Sequence, residues 1–298
     1  MPIQPIAGVE TGIMASTAKL LEDRYGKARV RLARVKRRAG WNDFCEWSVE
    51  VLLRGDFASC FEEGDNGKIL PTDTMKNTVY SVASSSSAEC MEDFAKELTE
   101  FLLQRNPQVS EVEVSVQSKP WEHLSTNGKP HPTTFALASG ERQTTSVVRE
   151  RDGELTVASG LEDLVIMKTA DSAFEGYIKD SLTTLPESSD RLFGTAVWSR
   201  WMYGPTDADF AGLRVKIREV LLNIFAEHKS KSVQHTLYAM ADGVLQQVAE
   251  VYEITLRMPN LHCLLVDLSR FGQSNPNEIF VPIDEPHGYI EARMGRKV

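Results

Sequence analysis

Five short polar clusters interrupt the hydrophobic pattern of this 298-residue chain, and they hold its main candidates for chemistry. Arg24-Tyr25-Gly26-Lys27 opens a strand-like run. Thr72-Asp73-Thr74-Met75-Lys76-Asn77-Thr78 lies between a loop and a helix-like stretch. The segment from Phe174 to Arg191 contains Thr183-Thr184-Leu185 and Asp190-Arg191. Ser232-Val233-Gln234 opens a helical stripe, and Pro259-Asn260-Leu261-His262 joins two strand-like runs. Lys27 and His262 can carry protons; Thr72, Arg191, Gln234 and Asn260 supply a hydroxyl, a guanidinium and two amides. Taken singly, each has an ordinary reading. Lys27 reads as a solvated charge, His262 as a structural histidine and Arg191 as a surface ion-pair partner beside Asp190. Phe174 reads as core, Thr72-Asp73 as a helix cap or turn, and Gln234 has no favoured role.

Familiar cofactor motifs are missing. No GxGxxG follows a strand-like run, and no GxxxxGK[ST] or GxSxG occurs. The six histidines show neither HExxH nor HxH spacing. The four cysteines, Cys45, Cys60, Cys90 and Cys263, form no CxxC, so a zinc site could assemble only from residues remote in sequence. Elimination favours chemistry without metal or nucleotide. A net charge of −9 argues against nucleic acid or an anionic membrane surface as partner. An anionic small molecule would need a few local cations. No run approaches the length of a membrane span, and residues 1–20 read as an arm without the basic start of a secretory signal. Scattered cysteines in a chain this large imply reduced thiols.

The elements that must position these clusters fall into two similar halves. In the first, Val30, Leu32 and Val35 lie in a basic strand-like run, and Val49, Val51 and Leu53 alternate at period two. A helix is expected over 87–105, opened by a Ser86/Glu89 capping box and stopped by Asn106-Pro107. Val112, Val114 and Val116 then alternate with polar residues, as in a strand with one wet face. In the second half, strand-like runs at 143–149 and 154–168 flank an Asp152-Gly153 turn. Phe210, Leu213, Ile217, Val220, Leu221, Ile224 and Phe225 form one helical stripe; Val233, Leu237, Met240, Val244 and Val248 form another. Strands at about 250–258 and 262–268 follow. The layout is α+β, with helices on one face of antiparallel sheets. It divides into an arm (1–20), a first domain (21–142) and a second (143–298), with no repeat visible in the sequence itself.

Six blocks resemble the uricase (urate oxidase) family: Arg-Tyr-Gly-Lys at 24–27, Thr-Asp-Thr-x-Lys-Asn-Thr at 72–78, Phe-x-Gly-(x)6-Thr-Thr-Leu-(x)4-Asp-Arg at 174–191, Ser-Val-Gln at 232–234, Pro-Asn-x-His at 259–262 and Asp-x-Pro-x-Gly-x-Ile at 284–290. They stand in the family's order from residue 22 to about 292. The resemblance implies tandem tunnelling-fold domains, assembled as a homotetramer around a barrel, with active sites at subunit interfaces. It implies conversion of urate, O2 and water to 5-hydroxyisourate and hydrogen peroxide without metal or organic cofactor. By the same resemblance Arg191 and Gln234 clamp the purine, Phe174 stacks on it and Leu185 packs beside it. Backbone amides at Asp73 and Val233 contact it too. Thr72 and Asn260 hold O2 or water, and Lys27, Thr72 and His262 form a proton relay. Lys27 and Thr72 would come from one subunit, and Arg191 and Gln234 from its neighbour.

Departures are few. Leu182 stands where many relatives carry an aromatic residue, Ser189 where some have a larger one, and Leu261 where lysine is frequent. The C-terminal Gly-Arg-Lys-Val lacks the Ser-Lys-Leu peroxisomal address, which gives a cytoplasmic expectation. Two other readings stay open: an inactive purine-binding homologue, and a tunnelling-fold enzyme acting on a pterin-like heterocycle.

Overall fold

A computed structural model describes residues 17–297; all but the last four residues of the expected N-terminal arm lie outside it. The first half runs β1 (Tyr25–Arg38), β2 (Trp41–Gly55), α1 (Ala58–Glu62), α2 (Thr72–Ser85), α3 (Met91–Arg105), β3 (Val109–Ser118), β4 (Trp121–Thr126), β5 (Lys129–Leu137) and β6 (Arg142–Glu150). The second runs β7 (Leu155–Lys168), β8 (Phe193–Tyr203), α4 (Phe210–Glu227), α5 (Val233–Gln247), β9 (Val251–Arg257), β10 (Asn260–Leu265), β11 (Phe280–Gly288) and β12 (Glu291–Gly295). Apart from the short α1, each half is a hairpin, two helices, a strand, an inserted hairpin and a closing strand.

Every strand pairing is antiparallel, and one sheet crosses both halves in the order β1-β2-β3-β6-β7-β8-β10-β11, with β9 also on β8 and β12 on β9. The junction is the β6–β7 ladder, in register from Arg142↔Glu162 to Arg149↔Leu155 around the expected Asp152-Gly153 turn. The halves also share a backbone irregularity. In β1 the register jumps from Lys27↔Val51 to Val30↔Val49, with Arg29 left-handed at φ 56. In β7 it jumps from Leu161↔Ser199 to Leu164↔Val197, with Asp163 at φ 58. Each is a bulge that sets two residues against one.

Period-two patterning selects the buried face. Val112, Val114 and Val116 are fully buried beneath the helices, whereas Glu111, Glu113 and Ser115 between them are only half-covered. Burying each valine is worth about 1.5 kcal/mol. Helices α2, α3 and α5 pack on β1, on β3 with β6, and on β9 with β12. The stripes expected for α4 and α5 face this core.

Some local expectations are corrected. The helix expected from residue 87 begins at Met91 with Cys90 at its N-cap, and no side chain caps it. Ser86 instead ends α2, its hydroxyl accepting from the Ala88 amide at 3.0 Å, while Glu89 is drawn off by Arg38 at 3.0 Å. The Thr72–Thr78 block, placed between a loop and the first helix, opens a helix of its own, with Pro71 (φ −56) and not Thr72 at the N-cap. The strand expected at 262–268 runs 260–265. Strand β8 and the β4–β5 hairpin have no counterpart in the sequence reading; in β8 the inward positions alternate Val197 and Trp201 with buried Thr195 and Ser199, which blurs the pattern.

Two arginines one turn apart on α4 fasten that helix to the first half of the chain. Arg214 reaches the fully buried Glu92 of α3, which also accepts from Ser159 of β7, and Arg214 donates to the Thr144 carbonyl at 3.2 Å. Arg218 grips the buried Glu141 with Nε–Oε1 at 2.9 Å and a second nitrogen at 2.8 Å from Oε2. Nearby, burial and then the negative charge of Glu92 push the Tyr203 phenol up to about 12. Removing one partner strands a charge in the core, whereas replacing both with apolar groups does not. Arg214→Met is therefore expected to lower the unfolding free energy by about 3–5 kcal/mol, read from urea midpoints. Adding Glu92→Leu should recover most of that loss; no recovery would mean the pair is not the source.

Candidate active site

The first-half cluster is built where β1 meets the start of α2. Tyr25 anchors the two: its hydroxyl donates to the Leu70 carbonyl at 3.2 Å and accepts from the Leu70 amide at 2.8 Å. Its ring meets Phe57 edge-on at 4.8 Å. Gly26 permits the close β1–β2 approach, because a Cβ there would lie 1.8 Å from the Val51 carbonyl oxygen. Lys27 follows, half-buried, immediately before the bulge. Thr72 and Asp73 are exposed in the first turn of α2, which the buried Met75 and Val79 pin to the core. The Asp73 carboxylate is engaged by Lys76 and by Asn77 Nδ2 at 3.1 Å. Lys76 holds its pKa below the ordinary carboxylate value, with Lys27 adding a smaller pull.

The second-half cluster is held by two buried serines. Ser230 accepts from the Ala173 amide at 2.8 Å, and the Ser172 carbonyl accepts from the Arg191 amide at 2.8 Å. Phe174 and Ser188 exchange backbone bonds of 2.8 and 3.1 Å. These bonds dock the 171–191 segment beside the N-terminus of α5. There Ser232 caps the helix by accepting from the His235 amide at 3.1 Å, Val233 is buried and Gln234 is exposed.

Arg191 is not the surface ion pair its neighbour suggests. The Asp190 carboxylate is spent on the Ser172 amide at 3.1 Å, and the Arg191 guanidinium lies 5.0 Å over the Phe174 ring. Its Nε is buried and, among the described residues, unpartnered; burial pulls the group below its ordinary pKa. A buried donor without an acceptor is costly unless something supplies one. Leu185 is exposed on the same segment.

Asn260 and His262 start β10, half-buried, with Asn260 Nδ2 3.5 Å from His262 Nδ1. Asn260 pairs with Thr195 of β8, the strand that follows Arg191. The second half thus carries Phe174 with Arg191, Val233 with Gln234 at the start of α5, and Asn260 with His262; the first carries Lys27, Thr72 and Asp73. One chain does not bring the two sets together. Six strand-to-strand steps separate β1 from β10, roughly 29 Å along the sheet at about 4.8 Å per step. Among the described residues no group of three or more His, Cys, Asp or Glu is placed to hold a metal ion, and no helix is long and apolar enough to cross a membrane. Tyr25, Ser172, Ser230 and Tyr177 went unassigned in the sequence; the two serines carry no local signal, because their partners lie remote along the chain.

Two measurements probe this scaffold. Gly26→Ala should lower the unfolding free energy by about 1–3 kcal/mol, because its Cβ meets backbone; an unchanged value would mean β1 yields freely. The second concerns His228, which lies 4.3 Å from His235. Its carbonyl takes the Lys168 ammonium. Burial, then His235 and Lys168, lower its pKa below the ordinary 6.5. The unfolded chain then binds the proton more readily, so stability rises with pH and is lost as pH falls below that value. His228→Gln should flatten the dependence of the urea midpoint on pH between about 7.5 and 5.5; an unaltered slope would assign it elsewhere.

The chain is similar to known proteins along most of its length. A family model described as Uricase matches residues 23–148 and 157–291, broken only across the β6–β7 turn. The chain is 37% identical over 284 residues to the uricase of Dictyostelium discoideum, covering 94% of this chain and 98% of that one. It is 36% identical to the uricase of Arthrobacter globiformis, covering 93% and 89%. The crystal structure of uricase from Arthrobacter globiformis superposes with a TM-score of 0.90 at 35% identity, covering 95% and 96%. Urate oxidase from Bacillus sp. TB-90, at 21% identity and a TM-score of 0.79, shares the fold. With similarity running through both halves and both residue clusters, this chain belongs to the uricase family.

Proposed function

We propose that this chain is a urate oxidase, converting urate, O2 and water to 5-hydroxyisourate and hydrogen peroxide without metal or organic cofactor. The observation that carries the reading is Arg191 in a chain of this family: its Nε is buried without a partner among the described residues, its guanidinium lies over the Phe174 ring, and its segment docks next to the start of α5, where Gln234 stands. A planar anion with ring acceptors fits it. Arg191 and Gln234 would bond to the edge of the purine, Phe174 would stack on its face, and Leu185 would pack at its side. The Asp73 and Val233 amides lie at the starts of α2 and α5, where helical N–H groups lack internal partners and suit anionic oxygens.

Urate supplies two electrons to O2, water adds to the oxidised ring, and the protons released complete hydrogen peroxide. The delocalised anion is the reductant. The protein's tasks are to stabilise it, to hold O2 or water between Thr72 and Asn260, and to move protons through Lys27, Thr72 and His262.

The site is shared on this reading, which the sheet order supports: the strands carrying Lys27 and Asn260 are not neighbours within one chain. Two such chains, in a homotetramer with a closed barrel, would set one chain's first half against its neighbour's second. The repeated element order supports two tandem tunnelling-fold domains, taken from sequence as 21–142 and 143–298, with the sheet continuous across their junction.

Urate's ultraviolet absorbance should fall in air, with equimolar peroxide, in the presence of a strong chelator. Tight urate binding with no peroxide, or turnover abolished by the chelator, would refute the reading. Lys27→Met should cut kcat by about 100-fold or more with urate binding retained. Co-expressed Lys27→Met and Arg191→Ala chains, each inactive alone, should regain up to about a quarter of wild-type activity if sites are shared; no recovery would place the site within one chain.

A further inference from the structure

Between Phe174 and Ser188 the chain forms a tongue with an exposed tip, where Ile178 is 95% and Leu182 86% accessible. One residue of the tongue folds back. Gly176, left-handed at φ +72, turns the chain, and the Tyr177 ring stacks on Phe174 with centroids 4.7 Å apart and planes 15° from parallel. The Tyr177 hydroxyl donates to the Leu185 carbonyl. Outside this stack, Lys179 Nζ sits 5.5 Å from the Tyr177 ring and 3.2 Å from Glu187, whose carboxylate accepts from the Gly176 amide at 2.9 Å. Among the described residues, none of these side chains belongs to the hydrophobic core.

We propose that Tyr177 is a positioning residue that braces Phe174 and Leu185 into one wall of the substrate site. For the identity of the ligand this rests on the urate-oxidase reading. Among the described residues the Phe174 ring has one aromatic contact, Tyr177, and one cation contact, the Arg191 guanidinium. A flat anion draws Arg191 off the ring and into its own plane, where Nε finds its acceptor, and takes the vacated face. Tyr177 is then the ring contact that remains on Phe174 among the described residues. Its hydroxyl couples that ring to Leu185, so the stacking surface and the side wall keep one spacing. A surface tyrosine without this role would leave ligand affinity unchanged when trimmed.

The experiment compares Tyr177→Phe, Tyr177→Leu and Tyr177→Ala with the unaltered chain. Urate binding is measured under nitrogen, steady-state oxidation in air, and hydrogen exchange over residues 174–188 with no ligand present. Leu and Ala should raise urate Kd and KM by about 3- to 10-fold with kcat changed less than about twofold and the melting temperature unmoved. Phe, which keeps the stack, should recover most of the affinity. Exchange across the tongue should speed up in the Ala variant. Unchanged KM and exchange in the Ala variant would overturn the proposal, as would a Phe variant no better than Ala, or a fall in melting temperature that accounts for the loss. An unaltered chain that does not bind urate refutes the functional reading instead, and the exchange comparison still decides the brace.

Discussion

The β6–β7 ladder is the constraint from which the rest of the molecule follows. By pairing the last strand of one half with the first of the next, it makes two units into one sheet. A hydrogen-bonded sheet twists and curves, but its strand spacing does not compress. The strand carrying Lys27 and the strand carrying Asn260 are therefore six steps apart along the sheet and are not neighbours in it. The helix layer adds to this stiffness, since Arg214 and Arg218 carry second-half charge into carboxylates of the first. What one chain offers is a continuous span with one of the two candidate clusters in each half.

Legibility in the sequence followed the range of the interactions. Val112, Val114 and Val116, and the stripes of α4 and α5, could be read because periodicity and burial coincide within a few residues. Helix α2 could not, since its polar block carries hydroxyls and charges on the turns that remain exposed. The Ser86/Glu89 signature had the right spacing for a cap, yet Arg38, from a strand dozens of residues away, took the glutamate. A local motif gives way when a distant partner offers a charge.

The candidate site divides the same way. Its chemical types were visible as six ordered blocks, and Arg191, Gln234, Lys27 and His262 could be named from them. Their arrangement was not visible. It depends on Ser172 meeting Asp190 and Arg191, on Ser230 meeting Ala173, and on Tyr25 gripping Leu70, contacts that leave no trace in local spacing. The side chain at Asp190 shows the difference most clearly: adjacent in sequence to Arg191, it is turned to an amide and leaves the guanidinium open.

The paired bulges carry a consequence for stoichiometry. Both halves make the same two-for-one slip beside a left-handed residue, but the residue just before the slip is a lysine in one and the buried Leu161 in the other. A leucine cannot exchange a proton. If the halves descend from a duplicated unit, one copy kept the ionisable group while the other gave that position to packing. On the shared-site proposal, an assembly of such chains would then offer as many complete reaction centres as it has polypeptides, not twice that number, with the second copy of the bulge given over to holding the first in place.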